Sequence, residues 1–327
     1  MQVKFLIIRF SSIGDIVLTT PVIRGIKEQV EGAEVHFLTK PAYQAILEHN
    51  PYLDGIHVLQ KSMKETLKPL REEGFDYIID LHHNLRTWRL KNKLKVLDFS
   101  VNKLNKEKWL MVNFKKDKLP DKHIVERYLD CVSVFDVVDD GKGLDYFIPE
   151  NDKIEIDTSL KPNFLAFSLG GQHETKKLPK ESIREIVKNI QAPVVLLGGP
   201  EDEKTGDEIA NNLNHVHNYC GKLNLNQSAW MLKNASLVIS HDTGLMHIAA
   251  AFHKPILSIW GNTIPKFGMT PFHADKASKI FEVEGLSCRP CSKIGYEKCP
   301  KKHFDCMKKQ DLQAIIYDAN QLLKGSS

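Results

Sequence analysis

Short β-branched and apolar runs alternate with helical patterns along this chain, and after a break the alternation starts again. That pattern is the signature of βαβ units and a parallel sheet. In the first half, residues 3–8, 35–38, 56–59, 77–80 and 96–100 read as strands, with helices between them such as 21–29, where Val22, Ile23 and Ile26 share a face. In the second half, 164–168, 194–197, 237–239 and 256–260 read as buried strands and 181–188, 207–213, 225–233 and 245–252 as helices. A last amphipathic stretch, 310–323, reads as a closing helix. Between the halves, residues 139–162 are rich in turn formers and charge and show no period, so the junction is placed there. The expected plan is α/β: residues 1–155 as one doubly wound domain, 160–307 as a second, and 308–327 as the C-terminal helix. A length of 327 residues suits two such domains with a cleft between them, and ligands of these sheets sit at the carboxyl ends of the strands.

Composition removes several classes of function. With 26% charged and 42% hydrophobic residues the chain reads as globular, and no apolar run approaches the roughly 20 residues of a spanning helix. The run Phe5-Leu6-Ile7-Ile8 is stopped by Arg9, too short for a signal peptide, so a cytoplasmic location is expected. Neither GxGxxG nor GxxxxGK[ST] occurs, which argues against a nicotinamide dehydrogenase and a P-loop NTPase. The net charge of +4 is uneven: residues 86–122 carry twelve Lys/Arg against four Asp/Glu, a local +8. Such a segment attracts phosphate, nucleic acid or an anionic membrane, or is simply a solvated face.

Four stretches carry candidate chemistry. Arg9-Phe10-Ser11-Ser12-Ile13-Gly14-Asp15 follows the first strand and opens the first helix; Asp15 there either caps the helix or faces a ligand. Ser240-His241-Asp242-Thr243-Gly244-Leu245-Met246-His247 lies between a strand and an Ala-rich helix. Free amides, the helix dipole and the His247 imidazole make a diphosphate seat, and ordinary capping around a buried histidine makes the same pattern. Gly170-Gly171-Gln172-His173-Glu174-Thr175-Lys176-Lys177 places two lysines on a loop, ready to neutralise a phosphate or merely solvated. Finally Cys288, Cys291, Cys299 and Cys306 give C-x2-C-x7-C-x6-C, either a zinc knuckle or four reduced thiols.

Taken in order, these motifs resemble glycosyltransferase family 9, the ADP-heptose:lipopolysaccharide heptosyltransferases. The segment Arg9 to Ile16 followed by Thr20-Pro21 matches the family's opening signature. Asp242-Thr243-Gly244 with His247-Ile248-Ala249-Ala250-Ala251, Pro255 and Gly261-Asn262-Thr263-Ile264-Pro265 matches its most specific block. Lys176-Lys177-Leu178-Pro179 and Asp80-Leu81-His82-His83-Asn84-Leu85-Arg86-Thr87 match two further segments, so the similarity runs from residue 3 to about 306.

The resemblance implies a GT-B fold: two Rossmann-like domains, the first binding acceptor, the second nucleotide-sugar, with the C-terminal helix packing back on the first. It implies an inverting enzyme that moves heptose from ADP-heptose to the inner core of lipopolysaccharide without metal or cofactor, and the chain has no Asp-x-Asp triplet. Asp15 is then the general base, Lys176, Asp242, Thr243, Gly244 and His247 bind the donor, and Ser12, Gly14 and Arg86 bind an anionic acceptor. The expected partners are ADP-heptose, the lipid-linked acceptor and the inner face of the cytoplasmic membrane, with no nucleic acid. Two other readings are a family member that transfers another sugar and, in a different class, a basic nucleic-acid-binding protein with a four-cysteine knuckle.

Overall fold

A computed structural model describes residues 2–325. The chain divides into two compact units: the first takes the chain up to Asn105 together with Lys122–Phe147, the second Lys106–Asp121 and the chain from Ile148 onward.

The first unit contains β1 (Val3–Ile8), α1 (Ile13–Val17), α2 (Thr20–Gln29), β2 (Ala33–Thr39), β3 (Gly55–Val58), α3 (Met63–Glu73), β4 (Tyr77–Asp80), α4 (Leu85–Leu94) and β5 (Leu97–Ser100). After α5 (Asn105–Phe114), which starts the excursion into the second unit, α6 (Ile124–Leu129) returns to it. Its five strands are parallel in the order β3-β2-β1-β4-β5. Residues 5–8 of β1 are fully buried, as a central strand covered on both faces requires. Arg24 of α2 is also buried; its guanidinium is bracketed by Asp140 at 2.7 Å and by Asp145, so the turn-rich stretch before the junction is pinned to this unit by charge.

The second unit holds β6 (Leu165–Ser168), α7 (Lys180–Lys188), β7 (Val194–Leu197), α8 (Glu203–Ala210), β8 (Val216–Asn218), α9 (Leu225–Asn234), β9 (Leu237–His241), α10 (Gly244–Ala251), β10 (Ile256–Trp260), β11 (Lys279–Glu282), α11 (Asp305–Lys308) and α12 (Leu312–Lys324). Its six strands are parallel in the order β11-β10-β9-β6-β7-β8. Strand order reverses once in each sheet, between β1 and β4 in the first and between β6 and β9 in the second. The loops after each of those pairs therefore flank the crevice where a doubly wound sheet binds its ligand.

Three expectations change. The unit boundary falls at 147/148, inside the turn-rich stretch but earlier than 155. Residues 106–121 leave the first unit because their charges are held by the second: Lys115 Nζ donates to the carbonyls of Cys288 (3.2 Å) and Pro290 (2.7 Å), and Asp117 pairs with Lys266. The closing helix α12, expected to pack on the N-terminal domain, is instead built into the second unit. Its Ile315, Ile316, Ala319 and Leu323 share a core with Leu165, Ile183 and Leu237, and Asn320 bonds to the backbone of Asn189 and Gln191. A β-branched and leucine stripe of that size goes to the nearest apolar face, which β6, β9 and α7 supply.

Candidate active site

In the first unit the loop after β1 delivers Asp15 as the third residue of α1. Asp15 Oδ2 accepts from the Ser12 amide (3.1 Å) and hydroxyl (2.8 Å), and Oδ1 pairs with Arg9 at 2.6 Å; the Ser11–Ser12 peptide is cis. Capping and ligand-facing roles are thus compatible: the carboxylate closes the capping box and its side chain remains 24% exposed. Burial opposes its charge, but the Arg9 guanidinium and the two Ser12 donors outweigh that and hold the carboxyl at about 2. It is a full carboxylate at neutral pH.

Arg9 is fixed in turn. Its Nε donates to Ser11 O (2.8 Å), and Nη1 to Leu81 O (2.6 Å) and the Tyr128 hydroxyl (3.1 Å), a set drawn from β4's exit loop and α6. The motif contains Arg9, but the sequence does not show that residues 72 and 119 positions away complete its shell. Gly14 is buried and its carbonyl accepts the Leu18 amide, so Gly14 shapes the turn rather than presenting a side chain.

The neighbouring loop after β4 is organised by buried Asp80, whose Oδ1 accepts from the His82 and His83 amides while Oδ2 pairs with Lys91 at 3.0 Å. Asn84 then caps α4. Arg86 and Arg89, one turn apart on α4, are exposed. They line a cavity of about 520 Å³ with Phe10, Lys40, His82 and Leu85. His82 is held neutral near pH 7, its pKa lowered to about 4 by burial and by Arg9 and Lys103. Three cations around one cavity fit an anionic ligand, and two of them, Lys40 and Arg89, are brought to Arg86 by the fold rather than by any motif.

The +8 segment is divided. Lys91 is tied to Asp80 and Asp98, Lys103 donates to His82 O, Lys115 is held by carbonyls and Lys122 by Asp130. Its remainder lies partly on α4 in the first unit and partly at 106–121 in the second. The +8 excess is thus shared between the two units.

In the second unit the loops after β6 and β9 meet. Lys176 Nζ pairs with Asp242 Oδ2 at 2.6 Å and lies 3.3 Å from Asp242 O; the same Oδ2 accepts from the Thr263 hydroxyl at 3.0 Å. The two adjacent lysines separate here, because Lys177 is taken by Glu174 (2.9 Å) and Asp202 (3.3 Å). Thr243 is the N-cap of α10, but its hydroxyl lies 3.3 Å from Ser240 Oγ and caps no helix amide. Gly244 opens the helix and the His247 ring is buried in its first turn. The N-terminal amides of α10 have no side-chain cap and lie beside the Lys176–Asp242 pair, an arrangement that favours an anion. Beneath it His241 is fully buried, accepts the Leu178 amide at 3.0 Å, and is kept neutral, its pKa lowered to about 3 by burial and Lys177.

A brace behind this arrangement is not legible in the sequence. Arg289 donates to Gly261 O (2.5 Å), Thr263 O (2.9 Å) and Val283 O (2.8 Å) and pairs with Glu282 at 2.8 Å. A Cβ at Gly261 would lie 2.9 Å from Thr175 O, so the loops carrying Thr263 and Lys176 touch backbone to backbone. Asn262 is also buried, with both amide atoms lacking a hydrogen-bond partner among the described residues. None of the four clustered cysteines is in a disulfide. Cys291 Sγ donates to Cys288 O at 3.1 Å, Cys288 Sγ is 3.8 Å from His303 Nε2, and burial with Cys288 pushes the Cys291 thiol up to about 11. Among the described residues no three of these thiols and His303 bring their donor atoms within 4.8 Å of one another, so no metal cage is preformed there.

Residues 63–301 match the model of glycosyltransferase family 9 (heptosyltransferase). The chain is 24% identical to lipopolysaccharide heptosyltransferase 1 of Campylobacter coli over 80% of its own length and 84% of that protein's. Two solved structures share the fold. A family 9 glycosyl transferase from Veillonella parvula has a TM-score of 0.80 at 20% identity, covering 99% of this chain and 98% of that one. The Escherichia coli heptosyltransferase WaaC with ADP has a TM-score of 0.70 at 19% identity, covering 98% and 99%. With two parallel α/β sheets of the GT-B type and a family match across most of its length, the chain belongs to glycosyltransferase family 9, the heptosyltransferases.

Proposed function

We propose that the protein transfers heptose from ADP-heptose to an anionic, lipid-linked acceptor of the lipopolysaccharide core, with inversion at the anomeric carbon. The carrying observation is Asp15: an ionised, partly exposed carboxylate on the switch-point loop, next to the loop that supplies the cavity of Lys40, Arg86 and Arg89. The acceptor's carboxylate and phosphate groups bind to those cations; Arg86, a planar fork, suits a carboxylate better than a lysine does. Ser12 orients the base. Asp15 takes the proton from the acceptor hydroxyl as that oxygen attacks the anomeric carbon of the sugar, the bond from that carbon to the diphosphate oxygen breaks on the opposite face, and the electron pair leaves on ADP.

The leaving group's charge falls to the second unit. Lys176 exchanges Asp242 for a phosphate oxygen, the first amides of α10 at Thr243 and Gly244 donate to another, and His247 completes the seat. Asp242, released, is positioned for a ribose or sugar hydroxyl, and the buried Asn262 amide for another polar group of the donor. The exposed Trp88 and the Arg86–Arg89 face of α4 suit peripheral contact with the anionic inner membrane; no helix among the described residues is long and apolar enough to cross one. Nothing in this reading asks for nucleic acid.

The test is a transfer assay with a truncated lipopolysaccharide acceptor and a panel of nucleotide-sugars. Heptosylated product with ADP-heptose, and not with other donors, is expected. Product only with another nucleotide-sugar would reassign the donor, and salt-sensitive RNA binding without turnover would discard the enzymatic reading.

A further inference from the structure

On the face of the first sheet that α3 covers, the apolar surface of Leu6, Ile8 and Leu38, packed with Leu67 of α3, gives way to a polar cluster. Lys4 of β1 is paired in register with Glu34 of β2; His36 follows two residues on, and its register partner on β3 is Gly55, two residues before His57. Alternation puts Lys4, Glu34, His36 and His57 on that one face. Helix α3 adds Glu73, its last residue.

His36 Nδ1 and His57 Nε2 are 3.0 Å apart, and a Glu73 carboxylate oxygen completes a set of three donor atoms within 4.8 Å of one another. Ligands at about 2.0–2.2 Å from a tetrahedral zinc ion stand roughly 3.3 Å apart, so the imidazole pair is already close to the required span. The outer partner is in place too. His36 Nε2 meets Glu34 Oε1 at 2.8 Å, which holds the ring proton on Nε2 and leaves the Nδ1 lone pair facing His57, the carboxylate–histidine arrangement that orients metal-binding imidazoles.

The surroundings are shaped to this pair. A Cβ at position 55 would lie 2.4 Å from His36 Nδ1, so only glycine on β3 leaves room for the ring. Phe75 packs edge-on against both imidazoles, with centroids 5.2 and 5.8 Å away. His36 is buried, while His57 and Glu73 are partly open to solvent and give an ion a way in. The charge is also unbalanced. Lys4 sits 3.0 Å from Glu34 and 3.4 Å from Glu73, one ammonium for two carboxylates, and Glu73 stands at a helix C-terminus, where the dipole disfavours an anion and favours a cation.

We propose that His36, His57 and Glu73 form a zinc-binding site, with water as the fourth ligand, that clamps edge strand β3 to β2 and to the end of α3. None of the three donors lies on the loops after β1 or β4, so the ion is structural and stands apart from the proposed transfer reaction.

The full-length protein, stripped with chelator and kept reduced, is titrated with Co²⁺ as a spectroscopic probe and then with Zn²⁺. One Co²⁺ per chain is expected, without the near-ultraviolet charge-transfer band of thiolate coordination, displaced by Zn²⁺ and raising the melting temperature by several degrees. His57→Gln and Glu73→Gln, each checked for native circular dichroism, should weaken binding at least tenfold, and Cys288→Ser should leave it unchanged. No binding by the wild-type protein, retention in both variants, or a thiolate band that Cys288→Ser removes would each overturn the proposal.

Discussion

The two switch-point sites are built alike and wired differently. In each, a loop after a strand pairs a carboxylate with a cation. At Asp15 the cation is the buried Arg9, locked by the carbonyls of Ser11 and Leu81 and by Tyr128, while the carboxylate keeps the exposure. At Asp242 both partners are mostly covered, 17% exposed for Lys176 and 11% for Asp242, and the lysine is a flexible stem that can swing to another anion. A guanidinium fork with four contacts holds one geometry; an ammonium whose two contacts both go to one residue, Asp242, exchanges more easily. The first site is therefore suited to hold a base in place and the second to hand a cation to a ligand.

The comparison can be broken from either side. Asp15→Asn should reduce kcat by at least about two orders of magnitude, the usual scale of general-base catalysis; a smaller loss would remove the base from the first site. Arg86→Ala should raise the acceptor KM about tenfold with little change in kcat, since a charge-assisted hydrogen bond is worth about 1.5–3 kcal/mol. A loss confined to kcat would place Arg86 outside acceptor binding.

Arg9→Met probes the wiring itself. In the proposed reaction the base works deprotonated, and with its carboxyl at about 2 the acid limb of kcat/KM is expected far below neutral pH. Without Arg9, burial raises that pKa and the limb moves upward in pH. An unmoved limb in a folded variant would show that Arg9 does not tune Asp15.

The smallest effect is on stability. Folded His241 binds its proton only near pH 3, against 6.5 for a free imidazole, so below about pH 6.5 the unfolded chain takes up more protons than the folded one. Stability from this group is complete above pH 6.5 and declines as pH falls towards 3. His241→Gln retains an acceptor for the Leu178 amide but does not titrate, and should shallow the slope of melting temperature between pH 4 and 6.5.

What is legible in the sequence largely follows burial, although the edge strands β3 and β5 are also read, at 56–59 and 96–100. The central strands β1, β6, β7, β9 and β10 are continuous apolar runs because helices cover both faces, and their periods and ends are plain. The edge strands β8 and β11 give no such signal, because Val216-His217-Asn218 is short and Lys279-Ile280-Phe281-Glu282 is half exposed. Helix α5 buries no residue, so no apolar stripe announces it. In the candidate sites, the side chains proposed to act are visible in the motifs, but their partners come from distant segments: Tyr128 of α6 to Arg9, Thr263 to Asp242, and Arg289 behind both Gly261 and Thr263. Long-range hydrogen bonding leaves no period in a single sequence.

The division of labour is tested most directly by titrating ADP into Asp15→Asn and Lys176→Ala side by side. Asp15→Asn should bind ADP as the wild type does, and Lys176→Ala should bind it at least about tenfold more weakly, the scale of one lost charged contact. Weakened binding in Asp15→Asn with unchanged binding in Lys176→Ala would contradict the account.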